Sequence, residues 1–296
     1  MKKGLPIVFV CLILSGSVAC GTRETGVLDT ETQTELPPEK SRTADVAEDI
    51  DYVDSIEPIH VEMPVQRTPE EVLMKLQELG RTDSVIAEIF EKNYLYPENM
   101  LEALANNPEM ADFMAGYPGE EGKYEAALTD SEKEQEYPLF LQWDPRWGYQ
   151  QYGENSCIGL AGCGPTCLSM AAYYLTGDES LTPDRIAEFS MENDYYVEDI
   201  GTSWNLMYDF PGMLDLSIGD MITDEYEMKL ALDSGNIVIC AMRPGDFTAG
   251  GHFIVIYGYE DDGFKVNDPN CVARSRRTWT FDELEHQIKM IWSLGK

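Results

Sequence analysis

Basic residues are scarce in this 296-residue chain, with Lys and Arg totalling 21 against 54 Asp and Glu, a formal net charge of −33. A surface that acidic repels phosphate backbones and anionic head groups, which excludes nucleic-acid binding and polybasic membrane docking. Long apolar runs are missing too. The longest, Leu5 to Leu14, falls short of the ~18 residues of a spanning helix. Glycine (24) and proline (16) are too few for a low-complexity chain. No Cys-x-x-Cys pair occurs, so the usual framework of a zinc site is absent. Histidine is limited to His60, His252 and His286. What remains, 43% hydrophobic and 10% aromatic, can fill one large core or two small ones.

The first residues read as an export signal. Lys2 and Lys3 form a basic start, Leu5–Leu14 the apolar stretch, and Ser17-Val18-Ala19 supplies small residues before Cys20. The stretch also resembles a bacterial lipobox, with Ser17 where an aliphatic residue is usual. Cys20 would then be lipidated and become the N-terminus of a cell-surface lipoprotein; otherwise the protein is simply secreted. Residues 1–19 are thus expected as a signal peptide. Residues 20–65 are rich in Glu, Asp, Thr and Pro with no sustained period, and read as a disordered, self-repelling tether. His60 lies in it and is expected to be inert.

Structure is expected from Thr68, which can cap a helix that starts at Pro69 and closes a capping box with Glu71. Val72, Leu73, Leu76 and Leu79 make its apolar stripe, and Gly80 stops it. Asp83-Ser84, Pro97 and Pro108 open further helices carrying Ile86, Ile89, Leu101, Leu104, Phe113 and Met114. The result is a small all-α module over residues 66–118, too small to be very stable alone. Nothing in it reads as catalytic, so removing it is expected to spare the chemistry. A polar linker, 119–136, leads to the main domain over 137–296, which holds all five tryptophans and five of the seven cysteines. An odd cysteine count in an exported chain leaves at least one thiol unpaired.

Two local patterns carry chemistry. In Gly162-Cys163-Gly164-Pro165-Thr166 the glycines permit close approach and Pro165 suits a first helical turn, which places Cys163 at a helix start. Unpaired N–H groups there favour a thiolate. A buried structural cysteine fits the spacing equally well, and Cys167, one turn on, reads as core. The second pattern is a strand from His252 to Tyr259, a turn at Glu260-Asp261-Asp262-Gly263, and a return through Asn267 and Asp268. A three-residue loop, Asp261-Asp262-Gly263, with Gly263 at positive φ in a bulge, would set Asp268 beside His252. The opposite register would make Asn267 the orienter. A lone strand-end histidine is often structural, yet His286, on an expected C-terminal helix among charged residues, is the weaker partner for Cys163.

Gly-Cys-Gly-Pro-Thr at 162–166, Pro244-Gly245-Asp246-Phe247-Thr248, Gly251-His252-Phe253 and Val266-Asn267-Asp268-Pro269 together resemble the papain-like peptidases of cysteine-peptidase family 39. These are relatives of the double-glycine leader peptidases, here in stand-alone secreted form. The resemblance covers roughly residues 137–296, including Leu141-Gln142-Trp143-Asp144-Pro145-Arg146-Trp147-Gly148. It implies an α+β fold, with a nucleophile helix packed on an antiparallel sheet and the all-α module preceding it. It implies Cys163 as nucleophile, His252 as base and acid, and Asp268 as orienter. It also implies a glutamine beside the oxyanion; none stands close upstream of Cys163, and Gln142 is the stand-in. A thiol-dependent amide hydrolase acting on a peptide or isopeptide bond of a peptide or protein substrate needs no cofactor. The same triad can serve transamidation or cell-wall peptide hydrolysis, and the scaffold could also be an inactive binding module.

Overall fold

The computed structural model describes residues 52–57, 59–119, 126–198 and 200–296. The expected signal peptide, Cys20 and most of the tether lie outside them. Among the described residues no helix is long and apolar enough to cross a membrane.

Four helices open the structure: α1 (Pro69–Leu79), α2 (Ser84–Glu91), α3 (Glu98–Asn106) and α4 (Ala111–Gly116). The capping box forms as read, with Thr68 accepting from Glu71 N–H and Glu71 from Thr68 N–H. Asp83 caps α2. The buried faces, with Leu76, Ile86, Met100, Leu104, Phe113 and Met114, do not close on themselves. They run into the same core as Phe140, Trp143, Trp147 and Met170 of the second half.

That half contains α5 (Asp130–Glu134), α6 (Ile158–Ala161), α7 (Cys163–Thr176) and α8 (Pro183–Glu192). A small hairpin, β1 (Tyr196–Val197) with β2 (Gly201–Thr202), and α9 (Asn205–Met213) follow. Then come β3 (Ser217–Asp220), α10 (Glu225–Asp233), β4 (Ile237–Met242), β5 (His252–Glu260) and β6 (Gly263–Asn267). The chain ends through α11 (Val272–Ser275), β7 (Thr278–Trp279), α12 (Phe281–Glu285) and β8 (Ile288–Gly295). The main sheet is six-stranded and antiparallel, in the order β3-β8-β4-β5-β6-β7. Alternation divides its residues between two cores. Ile237, Ile239, Phe253 and Val255 share a core with the α7 residues Cys167, Leu168 and Ala171. Val238, Cys240, Ile254 and Ile256 share the other with Met228 of α10 and Leu284 of α12. This is the α+β arrangement expected, a helix led by Cys163 against an antiparallel sheet.

Four local expectations need correction. The β5–β6 loop has two residues, Asp261 and Asp262, because Gly263 pairs with Glu260 inside the sheet. Gly263 does take a positive φ of 147°. Its backbone lies so close to the Trp279 carbonyl of β7 that a Cβ would not fit, so the position requires glycine. A two-residue loop alone would turn Asp268 away from His252. The register shift between Ile256 and Gly258, a bulge at Tyr257, restores the parity.

The tether is not structureless throughout, since Tyr52–Ser55 forms a 3-10 turn and Tyr52 packs edge-on against Trp143, with ring centroids 5.9 Å apart. The polar linker hides an ion network: Glu132, fully buried, and Asp144 each meet Arg146 Nη2 at 2.6 Å. That pairing across the chain is what brings such a polar stretch inside. His286 follows the last residue of α12, exposed and 3.2 Å from Glu285, and a strand, β8, ends the chain.

Candidate active site

Cys163 is the first residue of α7, directly after Gly162 ends α6. The turn between the two helices is tight enough to require glycine. A Cβ on Gly162 would come within 2.6 Å of the Ile158 carbonyl oxygen, and one on Gly164 within 2.7 Å of Thr202 Oγ1. The helix start therefore presses against β2 on one side while Cys163, half-buried, stays open to a cleft. Cys167 is completely buried one turn later. Among the described residues all five cysteines are free thiols. Burial raises the other four, Cys157 to about 11 and Cys167, Cys240 and Cys271 well above the ordinary thiol range.

His252 opens β5 and Asp268 follows β6. The bulged register brings His252 Nε2 to 2.7 Å from Asp268 Oδ1, both side chains buried. This leaves the other ring nitrogen for Cys163, which borders the same cleft. Burial alone would lower the His252 pKa. The Asp268 charge and hydrogen bond, then the neighbouring Cys163, outweigh it and lift the value to about 9. Burial likewise raises Asp268, but His252, the Arg274 guanidinium and the Asn270 N–H together hold its carboxyl below the usual carboxylate range. A charged pair in so dry a place is favourable only because further hydrogen bonds, here from Asn270 N–H and Arg274 Nη1, support the carboxylate.

Gln142 borders the same cleft as Cys163 and His252. Its Nε2 donates one hydrogen to the Gly159 carbonyl at 2.9 Å, its backbone N–H is fixed to Pro269 O at 2.7 Å, and Oε1 is buried without a partner. The structure thus gathers Cys163, His252, Asp268 and Gln142, and leaves His60 and His286 apart on the surface.

Other residues at the site carried no signal in the sequence. Arg274 is buried behind Asp268, its Nη1 3.3 Å from Oδ2. Asn270 N–H donates to Asp268 Oδ1 at 2.8 Å. Six residues separate Asp268 from Arg274 with no motif linking them. The cleft itself, about 580 Å³, is bordered not only by Cys163, His252 and Trp204 but also by Gln66, Glu102 and Asn106. The last three belong to the helical module. No group of three His, Cys, Asp or Glu side chains suited to a metal ion occurs among the described residues.

A family model described as "Peptidase_C39 like family" matches residues 134–294, more than half of the chain. Compared with the curated proteins, the chain matches none. Among solved structures it is similar to the peptidase domain of Streptococcus ComA, a bi-functional ABC transporter involved in a quorum-sensing pathway. That likeness has 17% identity and a TM-score of 0.37, over 54% of this chain and 98% of that one. A C39-like peptidase from Bacillus anthracis is similar at 14% identity and a TM-score of 0.32, over 53% and 94% of the two chains.

Proposed function

The chain belongs to this C39-like peptidase family, and on that footing we propose that it is an exported cysteine peptidase or amide hydrolase working through Cys163, His252 and Asp268. The observation that carries the proposal is the 2.7 Å His252–Asp268 pair at the cleft that Cys163 opens onto. The imidazolium stabilises the Cys163 thiolate, and the thiolate attacks the carbonyl carbon of a peptide or isopeptide bond. The Sγ–C bond forms as the carbonyl electrons move to oxygen. The Cys163 backbone N–H and the second Nε2 hydrogen of Gln142 receive that oxyanion, and one such donor contributes about 3–4 kcal/mol. His252 gives its proton to the departing amine as the C–N bond breaks. It then takes a proton from water, which hydrolyses the thioester and frees Cys163. Asp268 keeps the ring oriented throughout and stabilises its charge whenever it is protonated. Replacing water by an amine in the last step gives transamidation on the same residues.

The acidic surface suits an exported enzyme whose substrate is a peptide or protein, and Cys20 is the lipidation point that ties it to the cell surface. A digest of a peptide library with the wild type and with Cys163→Ala tests the chemistry. Cleavage by the first and not the second supports it; equal cleavage, or none by either, defeats it. Metabolic labelling with a fatty acid that is lost in Cys20→Ala tests the anchor.

A further inference from the structure

The helical module reaches the site from behind, through the stretch that carries Asp268. Asp268 is followed by Pro269, Asn270 and Cys271 before α11 supplies Arg274, and these few residues fix the carboxylate on every side. Asn270 N–H and Arg274 Nη1 hold its two oxygens. Ser275 Oγ accepts its backbone N–H at 2.8 Å. The second half holds this stretch through Gln142 N–H on the Pro269 carbonyl and the Trp279 indole on the Arg274 carbonyl, and the module holds it as well. Glu109, buried between α3 and α4, accepts the Val272 N–H at 2.7 Å on Oε2 and the Ala273 N–H at 2.9 Å on Oε1. Asn107 Nδ2 donates to the Asn270 carbonyl, which also takes the Trp143 indole N–H at 3.0 Å. Asn107 Oδ1 further accepts from Glu109 N–H at 3.2 Å, so the two module residues act as one clamp.

Glu109 is only 8% exposed, and burying a carboxylate is costly unless its hydrogen bonds are made. Both of its oxygens are spent on consecutive backbone N–H groups of the segment that presents Arg274 to Asp268. Nothing in the folding of the module itself calls for a buried acid at this place, and the family match, residues 134–294, begins well after it.

We propose that Glu109 and Asn107 are positioning residues of the peptidase site: they lock residues 270–274 so that the Asp268 carboxylate stays on His252. The inference rests on the proposed triad, and it replaces the expectation that the module can be removed without touching the chemistry. It makes the module a built-in part of the catalytic apparatus. With the clamp released, Asp268 keeps its contacts only part of the time and the imidazolium loses its partner. A small misplacement of a catalytic group is enough to lower turnover strongly.

The test uses the full chain with Glu109→Gln, which keeps the shape but can accept only one of the two N–H groups, and Asn107→Ala, which removes no charge. Two readouts are taken on each folded variant: kcat and KM on a cleaved peptide, and the titration midpoint of the His252 imidazole by NMR. The groups facing that ring are Asp268 and Cys163, with Arg274 and Glu109 behind Asp268. In both variants kcat should fall about tenfold with KM within about twofold, and the midpoint should drop by about one unit. An unchanged midpoint in both variants overturns the inference. So does a shift in Glu109→Gln without one in Asn107→Ala, because the effect is then that of the lost charge alone. If Glu109→Gln fails to fold, Asn107→Ala decides. The titration needs no turnover, so a wild type that cleaves nothing, with the midpoint lowered in both variants, defeats the peptidase reading and leaves the clamp standing.

Discussion

The helical module and the family-matched half differ in where the polar residues that matter most to the site sit. In the second half the residues of the recognisable motifs, Cys163, His252 and Gln142, open onto a cleft. In the module the two most consequential polar residues, Glu109 and Asn107, are buried and spend their hydrogen bonds on the other half. The module's apolar residues do the same, since Leu104 and Phe113 lie in one continuous core with Trp143 and Trp147. Motifs mark the atoms that react; the machinery that holds those atoms extends beyond them.

The largest effect that separates the halves is chemical. Cys163→Ala should lower turnover by about 10⁴-fold or more, while its denaturation midpoint stays close to that of the wild type. Leu104→Ala, on the module side and fully buried, should behave conversely at first order. It should cost about 2–5 kcal/mol in urea unfolding, in a single transition that unfolds both halves together. Two separate transitions would show that the shared core does not couple them.

Asp268→Asn comes next. It keeps the shape but removes the charge opposite His252, and kcat should fall by about 10²-fold, within the range for a mispositioned general acid and base. The smallest effect is one of pH. His252 rises from 6.5 unfolded to about 9 folded, so its contribution to stability is complete below 6.5 and is lost as pH climbs through about 9. Asp268 is lowered from 3.8, so its contribution is present above that value and lost as pH falls through its folded pKa. Thermal midpoints should therefore decline between 6.5 and about 9 in the wild type, and less steeply in Asp268→Asn. The alkaline limb of kcat should lie near 9 and move toward neutrality in the same variant.

Much of this was legible in the sequence because it is local. The capping box of Thr68 and Glu71, the glycine-flanked helix start at Cys163 and the strand opening at His252 are patterns of neighbouring residues. The position of Asp268 beside His252 was legible in outcome but not in route. The loop is two residues because Gly263 pairs with Glu260, a register that no local pattern records, and the bulge at Tyr257 compensates. The rest was hidden for the same reason. Glu109 meets Val272, and Asn107 meets Asn270, across separations of 163 residues, while Glu132 looked like one more charge in a polar linker. An acidic residue read alone predicts a solvated surface; only its partners bring it inside.

The central claim is that Cys163 is an activated thiol paired with His252, and its rate of alkylation tests that most directly. Iodoacetamide at about pH 6, well below the ~8.5 of an ordinary thiol, should label Cys163 selectively. The four other described cysteines are held neutral by burial and should label slowly. His252→Ala should slow the labelling of Cys163 by about an order of magnitude or more. The overall charge of −33 disfavours a thiolate, but salt screens distant carboxylates over about 8–10 Å while the imidazolium acts at contact. Labelling of Cys163 no faster than that of Cys167 or Cys271, and indifferent to His252→Ala, would contradict the account and leave a peptidase fold without a working nucleophile.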